Sequence, residues 1–317
     1  MKILVTGGSG FIGYHLSKSL LEDGFQVLGV DSINSYYDKE LKIARLDLLR
    51  SYENFKFNKV DIADKESIAR SFKSFEPQKV VNLAAQPGVR YSLINPYAYM
   101  ESNLVGFLNV IELCRHCEVE NFIYASSSSV YGLNNNSPSN VDDRVNKPIS
   151  LYGATKRSNE LIAYAYSNLY GLHTSGLRYF TVYGPYYRPD MAIFIFTEKI
   201  IAGEPINVFN NGKMKRDFTY IDDIVDGTKS AIDKNYEYEI FNLGNNKSEK
   251  LTDMINLIED ELNRKAIIRY KALQPGDVID TFANIDNAKE KLGYNPKTEL
   301  KVGIPKFIKW YKEYYNV

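Results

Sequence analysis

Tyr152 and Lys156 stand four residues apart in the stretch Leu151-Tyr-Gly-Ala-Thr-Lys156. On a helix that spacing puts a phenol and an ammonium on one face. A cation beside a phenol favours the phenolate, which turns a weak acid into a base that works near neutral pH. The chain carries 25 Tyr, so the spacing alone arises by chance: a buried structural Tyr and a solvated helix Lys would also produce it. A second motif gives the pair meaning, the loop Gly7-Gly-Ser-Gly10-Phe-Ile-Gly13 near the start of the chain. Gly7, Gly10 and Gly13 let the backbone turn tightly and approach a pyrophosphate. Its charge is met by the N–H groups of Phe11, Ile12 and Gly13 at the positive end of a helix beginning there.

Such a loop needs a strand before it and a strand after its helix. The apolar run Lys2-Ile-Leu-Val-Thr6 reads as a buried parallel strand. A second, from Gln26, ends in Asp31, about 20 residues beyond the glycines, where the dinucleotide fingerprint expects an acid. Asp31 would bind the ribose hydroxyls and repel a 2'-phosphate, so the cofactor expected is NAD rather than NADP. A Gly-rich turn with an ordinary solvated aspartate is the plain alternative, and it leaves the order strand, turn, helix, strand, acid unexplained.

Strand patterns at 2–6, 26–31, 54–60, 78–84, 119–125 and 172–178 alternate with helical patterns near 11–23, 65–75, 96–116 and 150–170. That rhythm predicts an α/β fold, a Rossmann doubly wound parallel sheet covered on both faces. After Arg178 it gives way to Pro and Gly punctuation and short mixed elements. The expected division is a cofactor-binding domain over 1–180 and a smaller mixed α/β substrate domain over 181–317, with a strand near 239–243 returning to the first sheet. Ile304, Phe307, Ile308 and Tyr311 fall at helical spacing, so 300–315 reads as a packed helix.

The chain balances 39 Lys and Arg against 39 Asp and Glu, which excludes a general attraction to nucleic acid or a membrane surface. No apolar stretch approaches the ~20 residues of a membrane span, and the first strand begins at Met1, leaving no room for a signal peptide. A cytoplasmic protein is expected. Cys114 and Cys117 flank His116, but a zinc site needs further clustered ligands. They read as small apolar residues on a helix, and no metal is expected.

The glycine loop, Asp31, Ala125-Ser-Ser-Ser-Ser129-Val-Tyr-Gly132 and Tyr152-x-x-x-Lys156 together resemble the extended short-chain dehydrogenases/reductases. Four further stretches are Leu83-Ala-Ala-Gln-Pro-Gly-Val-Arg90-Tyr-Ser92, Thr181-Val-Tyr-Gly-Pro185 through Arg188-Pro-Asp-Met-Ala192, Arg216-Asp-Phe-Thr-Tyr-Ile-Asp-Asp223 and Gln274-Pro-Gly-Asp277. These are similar to the UDP-glucuronate 4-epimerases of bacterial capsule and lipopolysaccharide pathways, and the resemblance runs from Met1 to the C-terminus. It implies Tyr152, Lys156 and Ser127 as the catalytic residues, with Ser126 and Ser128 leaving the register of the serine open. It adds Asp61, Ile62, Leu83, Ala84, Ala85 and Tyr179 to the cofactor site, beside Tyr152 and Lys156. Arg90, Ser127, Ser128, Tyr152, Thr181, Arg188, Arg216 and Asp277 would contact a UDP-sugar. A homodimer through helices 96–116 and 150–170 is also implied.

Inversion of a sugar carbon bearing a hydroxyl can proceed by oxidation to a ketone, rotation and reduction from the other face, with NAD serving both steps and no net redox. Tyr152 would take and return the O4 proton. Nucleotide-sugar 4,6-dehydratases resemble this chain but carry Asp-Glu where it has Ser128 and Ser129, and UDP-glucuronate decarboxylases carry Glu at the place of Ser129. Without a carboxylate there, elimination lacks its base. A uronate carboxylate wants a planar guanidinium fork, for which Arg90 and Arg188 are candidates; a solvated or phosphate-binding arginine is the alternative for each. Thr181 stands where galactose-type epimerases have Asn, and Gln274 where they have Arg. Arg216 matches a diphosphate-binding arginine and Asp277 a residue of the nucleotide pocket. Between Lys229 and Tyr238 the chain lacks a loop that uronate epimerases carry, a change expected to alter surface and specificity rather than the reaction. Epimerisation of a neutral UDP-sugar, a net oxidoreductase or dehydratase, and a non-catalytic NAD-binding scaffold are the competing readings.

Overall fold

The computed structural model describes residues 1–133, 137–273 and 278–317. Seven strands form one sheet: β1 (Lys2–Thr6), β2 (Gln26–Asp31), β3 (Phe55–Lys59), β4 (Lys79–Asn82), β5 (Asn121–Ser127), β6 (Thr174–Tyr179) and β7 (Tyr238–Leu243). Their order is β7-β6-β5-β4-β1-β2-β3, and every pairing is parallel. Side chains alternate across the pleat: Ile3 and Val5 enter one core and Leu4 the other. Helices therefore cover both faces, as expected for a doubly wound sheet. They include α1 (Phe11–Glu22), α2 (Lys39–Arg50), α3 (Lys65–Phe75), α4 (Gly106–His116), α5 (Leu151–Tyr170) and α6 (Ile221–Asp233). The chain order reverses between β1 and β4, the place where such sheets open a crevice beyond their carboxyl ends.

Two features depart from expectation. Helix α2 lies where no helical pattern was assigned, although Asp38 marks its start by accepting from Glu40 N at 2.9 Å. The helix expected over 96–116 is interrupted by a π-helical stretch, Met100–Val105. That stretch turns Asn103 inward, where it accepts from Gln86 N at 2.8 Å and donates to Gln86 O at 3.1 Å and Thr155 Oγ1 at 3.0 Å. The π-turn thus ties the loop after β4 to helix α5, a use to which such turns are often put near sites.

Strand β7 pairs with β6, so the chain leaves the sheet after β6 and returns to it. Between lie short paired strands, Thr181–Tyr183 with Phe218–Tyr220, and a helix, Ala192–Ala202; helix Leu300–Tyr315 comes later. Helix α6 ends at Asp233 and β7 starts at Tyr238, a short connection where a loop is expected to be missing. Among the described residues no helix is long and apolar enough to cross a membrane. Both cysteines are free, Cys114 buried and Cys117 exposed, and no cluster of His, Cys, Asp and Glu that could hold a metal ion occurs among the described residues.

A buried ion pair locks α5 to the sheet. Glu160 receives Arg178 Nε at 2.8 Å and Nη2 at 3.0 Å, and Arg157 Nη1 at 2.8 Å. Removing one partner of such a pair leaves the other charge without its compensation. Arg178→Met is expected to lower unfolding free energy by about 3 kcal/mol, read from the urea midpoint, with Arg157 preventing a larger loss.

Candidate active site

Helix α5 starts where Ser150 caps it, its Oγ accepting from Gly153 N at 3.0 Å. Tyr152 and Lys156 thus fall on the first turns of one helix. Gly153 faces the serine run so closely that a Cβ there would stand 2.6 Å from the Ser129 carbonyl oxygen. Only glycine admits this approach, and it sets the Tyr152 phenol beside Ser127, whose hydroxyl opposes the upward push of burial on its pKa. The three serines of the register left open in the sequence differ in their partners. Ser126 is buried and donates to Glu160 Oε1 at 2.6 Å, Ser127 Oγ accepts from Ser129 N at 3.2 Å and lines the cleft with Tyr152, and Ser128 lines it too.

Electrostatically, burial acts on both members of the pair. Burial pushes the Tyr152 pKa up, and the opposing influences come from Ser127 and the charge of Arg188. Lys156 gives its ammonium to the Ala125 carbonyl at 2.8 Å. Burial pulls its pKa down from 10.5 to about 8.

A cleft of about 930 Å³ collects the remaining candidates. Gly7, Gly10, Phe11, Ile12, Gly13, Asp31, Asp61, Ile62, Leu83, Ala84, Ala85 and Tyr179 line it, as do Arg90, Thr181, Arg188 and Arg216. Asp277, with Gln274, lies outside the described residues. Arg90 stacks over the Phe209 ring at 5.2 Å, and Arg216 Nη1 donates to Lys215 O at 2.8 Å and Ile279 O at 3.1 Å. Arg188 does not present an open fork: Nε and Nη2 each reach an oxygen of Asp190 at 3.0 Å.

A family model described as "NAD dependent epimerase/dehydratase family" matches residues 3–244. The chain belongs to the NAD dependent epimerase/dehydratase family. Protein CapI of Staphylococcus aureus is 48% identical over 334 residues, covering 100% of both chains. UDP-glucuronate 4-epimerase 4 of Arabidopsis thaliana is 43% identical over 332 residues, 99% of this chain and 76% of the relative. Among solved structures, UDP-glucuronic acid 4-epimerase from Bacillus cereus, in complex with UDP-glucuronic acid and NAD, superposes with a TM-score of 0.94 at 34% identity, covering 99% of this chain and 100% of that one.

The cleft of this epimerase/dehydratase family member fits NAD on its own geometry. A Cβ at Gly7 would meet Ala84 N at 2.8 Å, and one at Gly13 would meet Gly7 O at 2.1 Å, so the cradle under helix α1 exists only with glycines. That helix begins without a capping side chain and without an acid in its first turn, leaving its positive end for a pyrophosphate. Asp31 accepts Ser9 N at 3.2 Å and Ile33 N at 2.8 Å on separate oxygens, and a carboxylate has further lone pairs for ribose hydroxyls.

Sequence reasoning missed the residues around this cradle. Lys42, on α2, donates to Asn34 O at 3.0 Å and Asn34 Oδ1 at 2.8 Å. Arg45 is fully buried and gives Nη1 to Ser9 O at 3.2 Å and to Tyr37 OH at 2.7 Å. Tyr36 and Asp190 also line the cleft. The signal was the unassigned helix and the Tyr36-Tyr37 pair before it.

Keeping Lys156 charged in this pocket costs stability. Its folded pKa lies near 8 and its ordinary one at 10.5, so between those values the unfolded chain binds more protons and stability rises with pH. Lys156→Met is expected to unfold at higher urea than the parent at pH 7, with the gap closing as pH rises from 8 towards 10.5.

Proposed function

We propose that the chain is a UDP-glucuronate 4-epimerase, inverting C4 of the hexuronic acid to give UDP-galacturonate through a 4-keto sugar. NAD, held by the glycine cradle and Asp31, would supply the hydride acceptor and donor for this inversion, with no net redox. Tyr152 takes the proton of the C4 hydroxyl and gives it back after rotation, its phenolate met by the Ser127 hydroxyl and the Arg188 charge. Lys156 adds a fixed cation and, with Tyr152, Tyr179 and the Leu83–Ala85 turn, holds the nicotinamide end. Ser128, Thr181 and Arg90 surround the sugar, and Arg216 takes the diphosphate.

One observation carries this reading over dehydration or decarboxylation. Among the described residues the carboxylates lining the cleft are Asp31, Asp61 and Asp190: the first two belong to the cofactor end, and the third is engaged by Arg188 and Tyr36. Among the described residues no carboxylate flanks Tyr152 to abstract a second proton. The expected outcome is conversion of UDP-glucuronate to UDP-galacturonate without accumulation of NADH, and Tyr152→Phe is expected to lose turnover by at least ~10³-fold while retaining NAD. Unchanged turnover would remove Tyr152 from the mechanism, and stoichiometric NADH or a released keto sugar would sink epimerisation. Occupation of the Arg188 fork by Asp190 favours a second reading, a 4-epimerase of a neutral UDP-sugar. Turnover of UDP-glucose but not UDP-glucuronate would establish it.

The same reading makes 1–180, with the strand at 239–243, the cofactor domain of a cytoplasmic homodimer and 181–317 its sugar-nucleotide domain. Val105 and Leu108 on one helical segment and Leu161 and Tyr164 on α5 are exposed, supporting association through those helices. Leu108→Asp with Leu161→Asp is expected to convert a dimer to a monomer in sedimentation; a parent that already sediments as a monomer removes the dimer.

A further inference from the structure

Tyr36 and Asp190 line the cleft and have no part in the proton transfers. Asp190 accepts Arg188 Nε on one oxygen and Nη2 on the other, each at 3.0 Å. Its Oδ2 also accepts the Tyr36 hydroxyl at 3.1 Å. Nη2 of Arg188 further meets the Met191 sulfur at 3.3 Å, so among the described residues Nη1 is the guanidinium nitrogen without a hydrogen bond. A bidentate carboxylate fixes the plane of a side chain that would otherwise spread over many rotamers. Tyr36 belongs to the loop that starts at Asp31, on the cofactor side. The backbone leading to Arg188 is held from that side too. His15 Nε2 bonds Pro185 O at 2.9 Å, and Arg45 donates to Tyr186 O from Nε at 3.2 Å and from Nη2 at 2.6 Å.

We infer that Asp190 and Tyr36 are positioning residues for Arg188: they hold one edge of its guanidinium so that Nη1 is presented to the carboxylate of the hexuronic acid. The inference rests on the uronate reading of the site. It makes carboxylate recognition answer to the loop that carries the cofactor's aspartate. The competing consequence of the same geometry is repulsion, since a second carboxylate beside an incoming one disfavours it; the two have opposite signs in experiment.

Calorimetry on the NAD-loaded enzyme with UDP, UDP-glucose and UDP-glucuronate separates them. Asp190→Asn is expected to weaken UDP-glucuronate about tenfold and to leave UDP and UDP-glucose within about twofold. Tyr36→Phe should show a smaller loss for the same ligand alone. In an Arg188→Met background, Asp190→Asn should add nothing further, because the group it positions is gone. Equal losses for all three ligands would mark a merely structural role and overturn the inference, as would a gain for UDP-glucuronate. Failure of the parent enzyme to epimerise UDP-glucuronate would sink the uronate reading and this inference with it. A parent that turns over UDP-glucuronate, paired with an unselective Asp190→Asn, removes the inference alone.

Discussion

The first turn of helix α5 touches the serine turn backbone to backbone, and the geometry of the site descends from that contact. Gly153 leaves no room for a side chain against the Ser129 carbonyl, and Ser150 fixes where the helix begins. With the start fixed, four-residue spacing delivers Tyr152 to Ser127 and Lys156 to the Ala125 carbonyl. Glu160, one turn further along, then reaches Ser126. A single helix thus reads three positions around the end of β5, which is why the order of the serines matters more than their number. Ser126 is held by Glu160, and Ser127 lines the cleft beside Tyr152.

Burial sets the electrostatics of this contact. It disfavours both charged forms at once, raising the phenol and lowering the ammonium. A phenolate in such a place needs donors and cations near it, and Ser127 and the Arg188 charge are what oppose burial at the phenol. The expectation from spacing was that Lys156 stabilises the Tyr152 phenolate from the same helical face. The carbonyl of Ala125 intervenes for the ammonium. Shared helical face is a weaker statement than contact.

Strand positions were legible because parallel strands buried on both faces are nearly continuous apolar runs; β1, with Ile3, Leu4 and Val5 in a row, is buried from Ile3 to Thr6. The glycine loop, Asp31 and the Tyr-Lys pair were legible because each is a local pattern. Helix α2 was not, since Lys42 and Arg45 sit on its buried side and break the apolar stripe that marks an amphipathic helix. Those charges are tolerated because carbonyl and amide oxygens receive them. The same substitution of polar contacts for apolar ones hid Tyr36 and Asp190, whose partners lie in sequence-distant loops. A residue whose role is defined by a tertiary hydrogen bond leaves no periodic trace.

Two bulky residues in left-handed conformation show where the molecule accepts strain. Ile33 has φ of 48° and Tyr186 of 59°, and such conformations cost of order 1–3 kcal/mol each in non-glycine residues. Ile33 follows Asp31 and donates to it; Tyr186 precedes Arg188, and its carbonyl takes two bonds from Arg45. The strain therefore falls in the two loops that meet at Tyr36 and Asp190, one from each side of the cleft. Relaxing either residue would turn the chain away from the bond that holds it, so the loops are fixed by bonds that outweigh local preference. Pinned in this way, the cleft keeps the Arg188 guanidinium from roaming, and its charge stays where it lowers the Tyr152 phenol.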